Sequence, residues 1–288
     1  MTKIMILPTK KNINDILGYC DSIVLGVQGM CVNMPDTFTI DEIEELLPIC
    51  KKRNIQVFIA LNKNMHTVDL DRLREMLAIL NELHIDGIFY YDISIVQCKK
   101  EMNLTIPLVW SQEHLTTNYA TMNYWYSKGI FYTYVSSEIT LEEIEDIARE
   151  TSMKLIVPIF GYLPMFVSKR NLVKNYKEYF NIKDNSEHYI LHKEGRKYPI
   201  DNTDLGTVVY SSAILNGLSE LQKLEEIGVA YVTLNSYRIP NNQFIELAKL
   251  FYNRQYQSEN VIENMFSNID KGFLYKETVY RVKKNEEK

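Results

Sequence analysis

Short apolar runs rich in β-branched and aromatic residues alternate with stretches whose apolar residues recur at helical spacing, along nearly the whole chain. That alternation specifies a parallel sheet covered by helices. Strands are predicted over 4–8, 22–27, 56–61, 87–92, 107–110, 129–135, 155–160 and 229–234. Between them, Ile40, Ile43, Leu46 and Leu47, and again Leu70, Leu73, Leu77 and Leu80, fall on single helical faces. Thr39 with Glu42, and Thr140 with Glu143, have the spacing of a capping box, in which hydroxyl and carboxylate reciprocally satisfy the free N–H groups of a helix start. Three helix-to-strand joints, HIDGIFYY, YSKGIFYTY and EEIGVAYVTL, repeat one device: a glycine suited to the left-handed helix-ending position, with a strand at once after it. Eight strands within 1–252 fit an α/β fold of the (β/α)8 TIM-barrel type. No glycine-rich phosphate loop follows the first strand, where a dinucleotide-binding sheet needs one. Between strands seven and eight, 177–211 contains HYILHKEGRKYPI and DLGTVVYSS and is predicted to form a β-hairpin insertion on the barrel rim. The remainder, 253–288, is predicted to be a C-terminal extension packed on the barrel, with a short helix around 261–268 and a strand-like run, GFLYKETVYRV.

Composition narrows the function classes. With 46% apolar and 24% charged residues among 288, the chain has enough apolar material for one barrel. A net charge of -5 argues against coating of nucleic acid by bulk charge alone, so any such contact needs a local basic patch. No apolar run approaches the ~20 residues of a membrane span, and the N-terminus lacks the apolar core of a signal peptide. A cytoplasmic protein is expected. Cys20, Cys31, Cys50 and Cys98 stand at wide spacings without a C-x-x-C pair, which reads as buried thiols, and no metal site is predicted.

In a barrel of this type the chemistry sits at the C-terminal ends of the strands. That rule selects Gln28, Asn62, His66, Asp92, Ser111, Gln112, Glu138, Asn235 and Arg238. It also selects the stretch after the seventh strand, where the run breaks at Gly161 into a polar turn carrying Tyr162, Ser168, Lys169 and Arg170. Arg170 is expected to enter the mouth and pair a carboxylate or phosphate through its planar fork. Asp92 and Glu138 then serve as acid/base groups or as partners orienting Arg170 and Gln112, and His66 as a proton carrier or a hydrogen-bonded rim residue. A hydrolase of the nucleophilic kind needs an activated Ser or Cys, but neither G-x-S-x-G nor H-E-x-x-H is present. From 165 to 200 there are eight Lys or Arg against four Asp or Glu, interleaved with Phe166, Tyr176, Tyr179, Phe180, Tyr189 and Tyr198. Cations beside aromatic faces suit single-stranded RNA, with Lys169, Lys174, Lys193, Arg196 and Lys197 as the phosphate-binding candidates. A surface hairpin whose aromatics pack on the barrel is the competing reading.

The run FGYLPMFVSKRNLVKNY resembles the signature turn of the peptidase U32 family, in which a strand ends in Gly and leads to a small polar residue, a variable residue and Arg. Asn62 with His66 in ALNKNMH, Asp92 in YYD, Ser111, Gln112 and Asn118 in WSQEHLTTN, Glu138 in SSEITLEEI and the run GRKYPIDNTDLGT are similar to the family's successive strand-end motifs. The resemblance implies more than one activity. Some members are described as collagenase-like proteases, and others serve in hydroxylation of tRNA, ribosomal RNA or the ubiquinone ring. The hydroxylation members commonly hold an iron–sulfur cluster whose first cysteine directly follows the motif's Arg; that position here is Asn171, and no cysteine follows Cys98. No cofactor is therefore expected on this chain. The likeness is to a short, cluster-free subgroup that works in forming 5-hydroxyuridine at the tRNA wobble position, alongside a longer, cluster-bearing U32 paralogue. A collagenase-like peptidase and a noncatalytic subunit that binds tRNA or its partner remain the alternatives.

Overall fold

The computed structural model describes residues 1–112, 114–183 and 189–276. Strand and helix alternate from the start: β1 (Lys3–Leu7), α1 (Ile13–Ile16), β2 (Ser22–Val27), the short β3 (Thr37–Phe38), α2 (Ile40–Lys52), β4 (Gln56–Leu61), α3 (Leu70–Glu82), β5 (Gly87–Tyr90), α4 (Ser94–Glu101), β6 (Leu108–Trp110), α5 (Tyr119–Ser127), β7 (Tyr132–Tyr134), α6 (Leu141–Glu150) and β8 (Lys154–Ser168). After an excursion the chain returns as α8 (Leu221–Glu226), β12 (Tyr231–Asn235), α9 (Asn241–Tyr252), α10 (Glu259–Met265) and β13 (Ile269–Asp270). Parallel pairing runs β1, β2, β4, β5, β6, β7, β8, β12, and β12 pairs back onto β1, so eight strands close into the predicted barrel.

Two apolar layers hold it. Inward-facing Met5, Val24, Phe58, Phe89, Val109, Ile156 and Tyr231 fill the interior, where Phe58 makes edge-to-face contacts with Phe89 at 5.9 Å and Tyr231 at 5.8 Å between ring centroids. The residues between them along the strands face the helices, as the two-residue side-chain period requires. Both capping boxes form: Thr39 and Glu42, and Thr140 and Glu143, exchange their reciprocal bonds at 2.7–3.2 Å. Gly129 and Gly228 take the left-handed joint position, both at φ +81°. In the first of the three joints, however, His84 (φ +52°) takes that role; Gly87 instead starts β5, packed against the Phe58 ring.

The seventh barrel strand departs from the expectation. Instead of ending at Phe160, β8 runs on to Ser168, because β11 (Gly206–Asn216) supplies an antiparallel partner from Ser168↔Thr207 down to Phe160↔Asn216. Two register shifts in this pairing bend the sheet and accommodate Pro164. β9 (Tyr189–Lys193) and β10 (Arg196–Thr203) complete a four-stranded antiparallel platform, which also carries α7 (Leu172–Tyr179). The β9–β10 turn places Glu194 (φ +51°) and Gly195 (φ +75°) in the left-handed region, as a two-residue hairpin turn requires. The departure from the barrel thus spans 161–216, wider than the expected 177–211.

Gly161 is the hinge point. Its φ is +117°, and a Cβ there would stand 2.7 Å from the Asn235 carbonyl oxygen, so only glycine lets β8 leave the barrel beside β12. After α9, α10 and β13 pack back, β13 pairing with β11 and the Leu141 N–H donating to the Leu274 carbonyl. Gly272 to Tyr275 form turns where a strand was expected; the remainder of that expected strand lies outside the described residues.

Candidate active site at the barrel mouth

The outer half of β8 bends over the C-terminal ends of the barrel strands, so the mouth is roofed by the platform. At its centre lies a tight cavity of about 50 Å³ lined by Asn62, Ser111, Tyr134, Tyr162, Thr233 and Asn235 among apolar neighbours. On one side it adjoins a cleft of about 300 Å³ between Asn62, Lys63, Tyr91 and His114 on the rim and Ser168 and Lys169 on the roof. On another, a cleft of about 240 Å³ lies between Glu138 below and Met165, Arg196 and Tyr198 above.

Several predicted residues converge here, and most turn out to build the rim. Asn62 Oδ1 accepts from the Val32 N–H at 2.9 Å, and Asp92 accepts from the Met65 and Ser94 N–H groups at 3.0 and 2.9 Å, tying successive strand-end loops together. Gln112 takes the Trp110 indole N–H at 3.1 Å and donates to the Tyr91 carbonyl at 2.6 Å. Ser111 lines the central cavity. Tyr162 points there too, half-buried, with its phenol pushed above the ordinary tyrosine range by burial and pulled partly back by Arg238. It is protonated at neutral pH and available as a donor.

Three expectations are corrected. Arg170 does not enter the mouth: it follows Ser168 and Lys169, which line the larger cleft, but is not itself a lining residue; its side chain is exposed and its backbone N–H donates to Ser168 Oγ at 3.2 Å. His66 is also exposed, because the loop turns back on Asp69, whose carboxylate accepts the His66 N–H at 2.8 Å and pairs Lys63 at 3.0 Å. Those contacts, the His66 bond first, hold Asp69 below the usual carboxylate range. Arg238 is an anchor between platform and barrel. Its guanidinium donates to the Ile200 carbonyl at 2.9 Å and lies 3.5 Å from Asp201, which also accepts the Tyr237 hydroxyl at 2.6 Å. Tyr237 stacks on Tyr210 with ring centroids 4.0 Å apart.

The residue that sequence reasoning passed over is His114. Its Nδ1 lies 3.4 Å from Glu138 Oε2, with both side chains about half exposed. His114 lines the larger cleft and Glu138 the smaller one, so the pair sits between the two. A carboxylate beside Nδ1 orients the imidazole, the arrangement of a base with its orienting group. The sequence carried a hint, since His114 stands inside the WSQEHLTTN motif.

The five cations proposed for RNA sit on the platform. Lys193, Arg196 and Lys197 flank the hairpin turn and are exposed, as are Lys169 and Lys174, the latter 4.0 Å from Glu178.

The chain's thiols do not fit an iron–sulfur cluster. Cys31 belongs to the barrel interior, whereas Cys20, Cys50 and Cys98 lie in the layer between sheet and helices. Burial raises them all, Cys31 to about 12 and Cys50 to about 11, the opposite of the thiolate a cluster needs. Asn171, at the position of the family's first cluster cysteine, is the N-cap of α7; its Oδ1 accepts from the Lys174 N–H at 3.1 Å and from Asn202 Nδ2 at 2.6 Å.

Comparison with known proteins agrees with this architecture. The tRNA hydroxylation protein P2 of Bacillus subtilis is 28% identical, over 97% of this chain and 100% of that protein. The tRNA hydroxylation protein P1 of the same organism is 23% identical over 54% of this chain, but only 37% of its own length. The solved U32 peptidase Mk0906 shares the fold with a TM-score of 0.54 at 17% identity, over 83% of this chain and 95% of that one. Since the model of Peptidase family U32 matches residues 14–276, spanning the barrel, its roofed mouth and the platform alike, the chain belongs to that family.

Proposed function

We propose that this chain is the cluster-free member of a two-protein system that hydroxylates tRNA at C5 of the wobble uridine, its partner being a longer U32 paralogue that holds the cluster. The observation that carries the reading is its end-to-end match, 97% against 100%, to a protein named for tRNA hydroxylation, joined with a capping asparagine at the cluster position. In this reading the mouth holds the small-molecule or nucleotide group that reacts. Tyr162 and Ser111 donate to it, and the His114–Glu138 pair holds or moves a proton. Lys169, Lys174, Lys193, Arg196 and Lys197 meet tRNA phosphates. This chain itself contributes no redox centre.

The test is mass spectrometry of tRNA from a strain lacking this gene but retaining its longer U32 paralogue, complemented with wild type, His114→Ala or Glu138→Ala. Wild type is expected to restore wobble 5-hydroxyuridine, and the two variants to restore it weakly. Unchanged modification in the deletion strain sinks the proposal. A peptidase reading draws on Ser168 facing the same cleft as His114. Release of peptides from denatured collagen by the purified chain, abolished in Ser168→Ala, would replace the proposal.

A further inference from the structure

Helix α7 is held on the platform in an unusual way: none of its residues is buried. Polar bonds at its first turn fix it instead. The Leu172 N–H donates to Thr207 Oγ1 at 2.9 Å, the Val173 N–H to Asn202 Oδ1 at 3.2 Å, and Asn171 links to Asn202. The apolar surface of the helix is left to solvent. Tyr176 is 59% exposed, Tyr179 80% and Phe180 56%, and the three rings form one cluster with centroids 4.7 and 4.9 Å apart. By contrast, Tyr189 receives the Lys177 ammonium on its ring and hydroxyl, and Tyr198 faces the mouth cleft. Of the aromatics of this region, Tyr176, Tyr179 and Phe180 thus form an open ledge, while Phe166 on β8 is separately exposed, at 46%.

Charge indicates what covers it. From 169 to 183 there are five Lys or Arg against the one acid, Glu178, on a chain whose net charge is -5. The core of a protein–protein interface is depleted in lysine, whereas cations interleaved with open aromatic faces match unpaired bases joined by phosphates. We propose that this ledge stacks unpaired bases of a single-stranded RNA loop on Tyr179, Tyr176 and Phe180, with Arg170 and Lys174 on the flanking phosphates. The inference rests on the tRNA reading above and assigns the face of the platform that the loop occupies. It also gives Arg170 a place outside the mouth.

The experiment is fluorescence anisotropy of the purified full chain with an anticodon stem-loop RNA and with a blunt RNA duplex of the same length. Stacking on one aromatic contributes about 1–3 kcal/mol per base, so Tyr179→Ala is expected to weaken stem-loop binding roughly 5- to 150-fold. Tyr179→Trp keeps a π face and is expected to retain binding. Lys174→Gln is expected to lower the salt slope by about one contact while leaving the preference for loop over duplex. Because Tyr179 is 80% exposed, its replacement is expected to leave the melting temperature unchanged, which separates binding from folding. Stem-loop affinity unaffected by Tyr179→Ala, or equal affinity for the duplex, overturns the ledge. So does loss of a paralogue's co-elution in Tyr179→Ala with RNA affinity intact, which would give the surface to a protein. Modification lost on gene deletion together with unaffected binding by Tyr179→Ala defeats the ledge alone; modification unchanged on deletion defeats the tRNA reading alone.

Discussion

Gly161 shows how one residue decides where the chain leaves the barrel. Its φ of +117° and the 2.7 Å approach of the Asn235 carbonyl to any added Cβ leave no room for a side chain. Gly161→Ala is expected to lose roughly 1–3 kcal/mol from backbone strain, with the steric clash adding to it, read as a lowered urea midpoint. An unchanged midpoint would mean that β8 leaves the barrel by another path. The same scale explains which site residues were legible. Asn62, Ser111 and Tyr162 follow from the strand-end rule alone and line the mouth. His114 did not follow, because its significance lies in Glu138, which the intervening α5 and β7 bring alongside; no local pattern encodes that meeting.

Among the elements, the platform depends on one small anchor. Arg238, with its forked contacts to the Ile200 carbonyl and Asp201, and Tyr237, stacked on Tyr210, join the loop after β12 to β10 and β11. Arg238→Lys keeps the charge but has no fork, so it is expected to resemble Arg238→Ala, each losing about 1–3 kcal/mol of local stability. Faster hydrogen exchange confined to β9–β11, with the barrel strands still protected, is the expected signature; uniform destabilisation would mean that the platform and barrel unfold as one. Here the sequence was partly misleading. The strand-end rule marks Arg238 as a candidate for the mouth, and nothing local distinguishes a residue that binds a ligand from one that binds a backbone carbonyl and a carboxylate across a fold.

For the whole molecule, pH dependence follows from two opposed sets of groups. Asp69 and Glu42 are held below the ordinary carboxylate range, Glu42 chiefly by its bond to Lys10, so they contribute stability that is present at neutral pH and lost as pH falls through their folded values. The buried thiols are raised, so their contribution is present below the ordinary thiol value and lost as pH climbs above about 9. A stability plateau between these limits is expected from urea midpoints, with Asp69→Asn flattening the acid side. A thiol reagent at pH 8 is expected to leave Cys20, Cys31, Cys50 and Cys98 unmodified until denaturant is added; rapid reaction of the native chain would contradict their burial. The sequence by itself determined the barrel, its helices and both capping boxes, because side-chain period and helix starts depend on residues a few positions apart. It also determined that thiolates for a cluster are missing from the second half. Only the tertiary structure decided that β8 continues into a roof, that Arg170 lies outside the mouth and that His114 meets Glu138. Those outcomes depend on pairing between β8 and β11 and on strand ends far apart in the chain, and only closure of the barrel fixes which of them become neighbours.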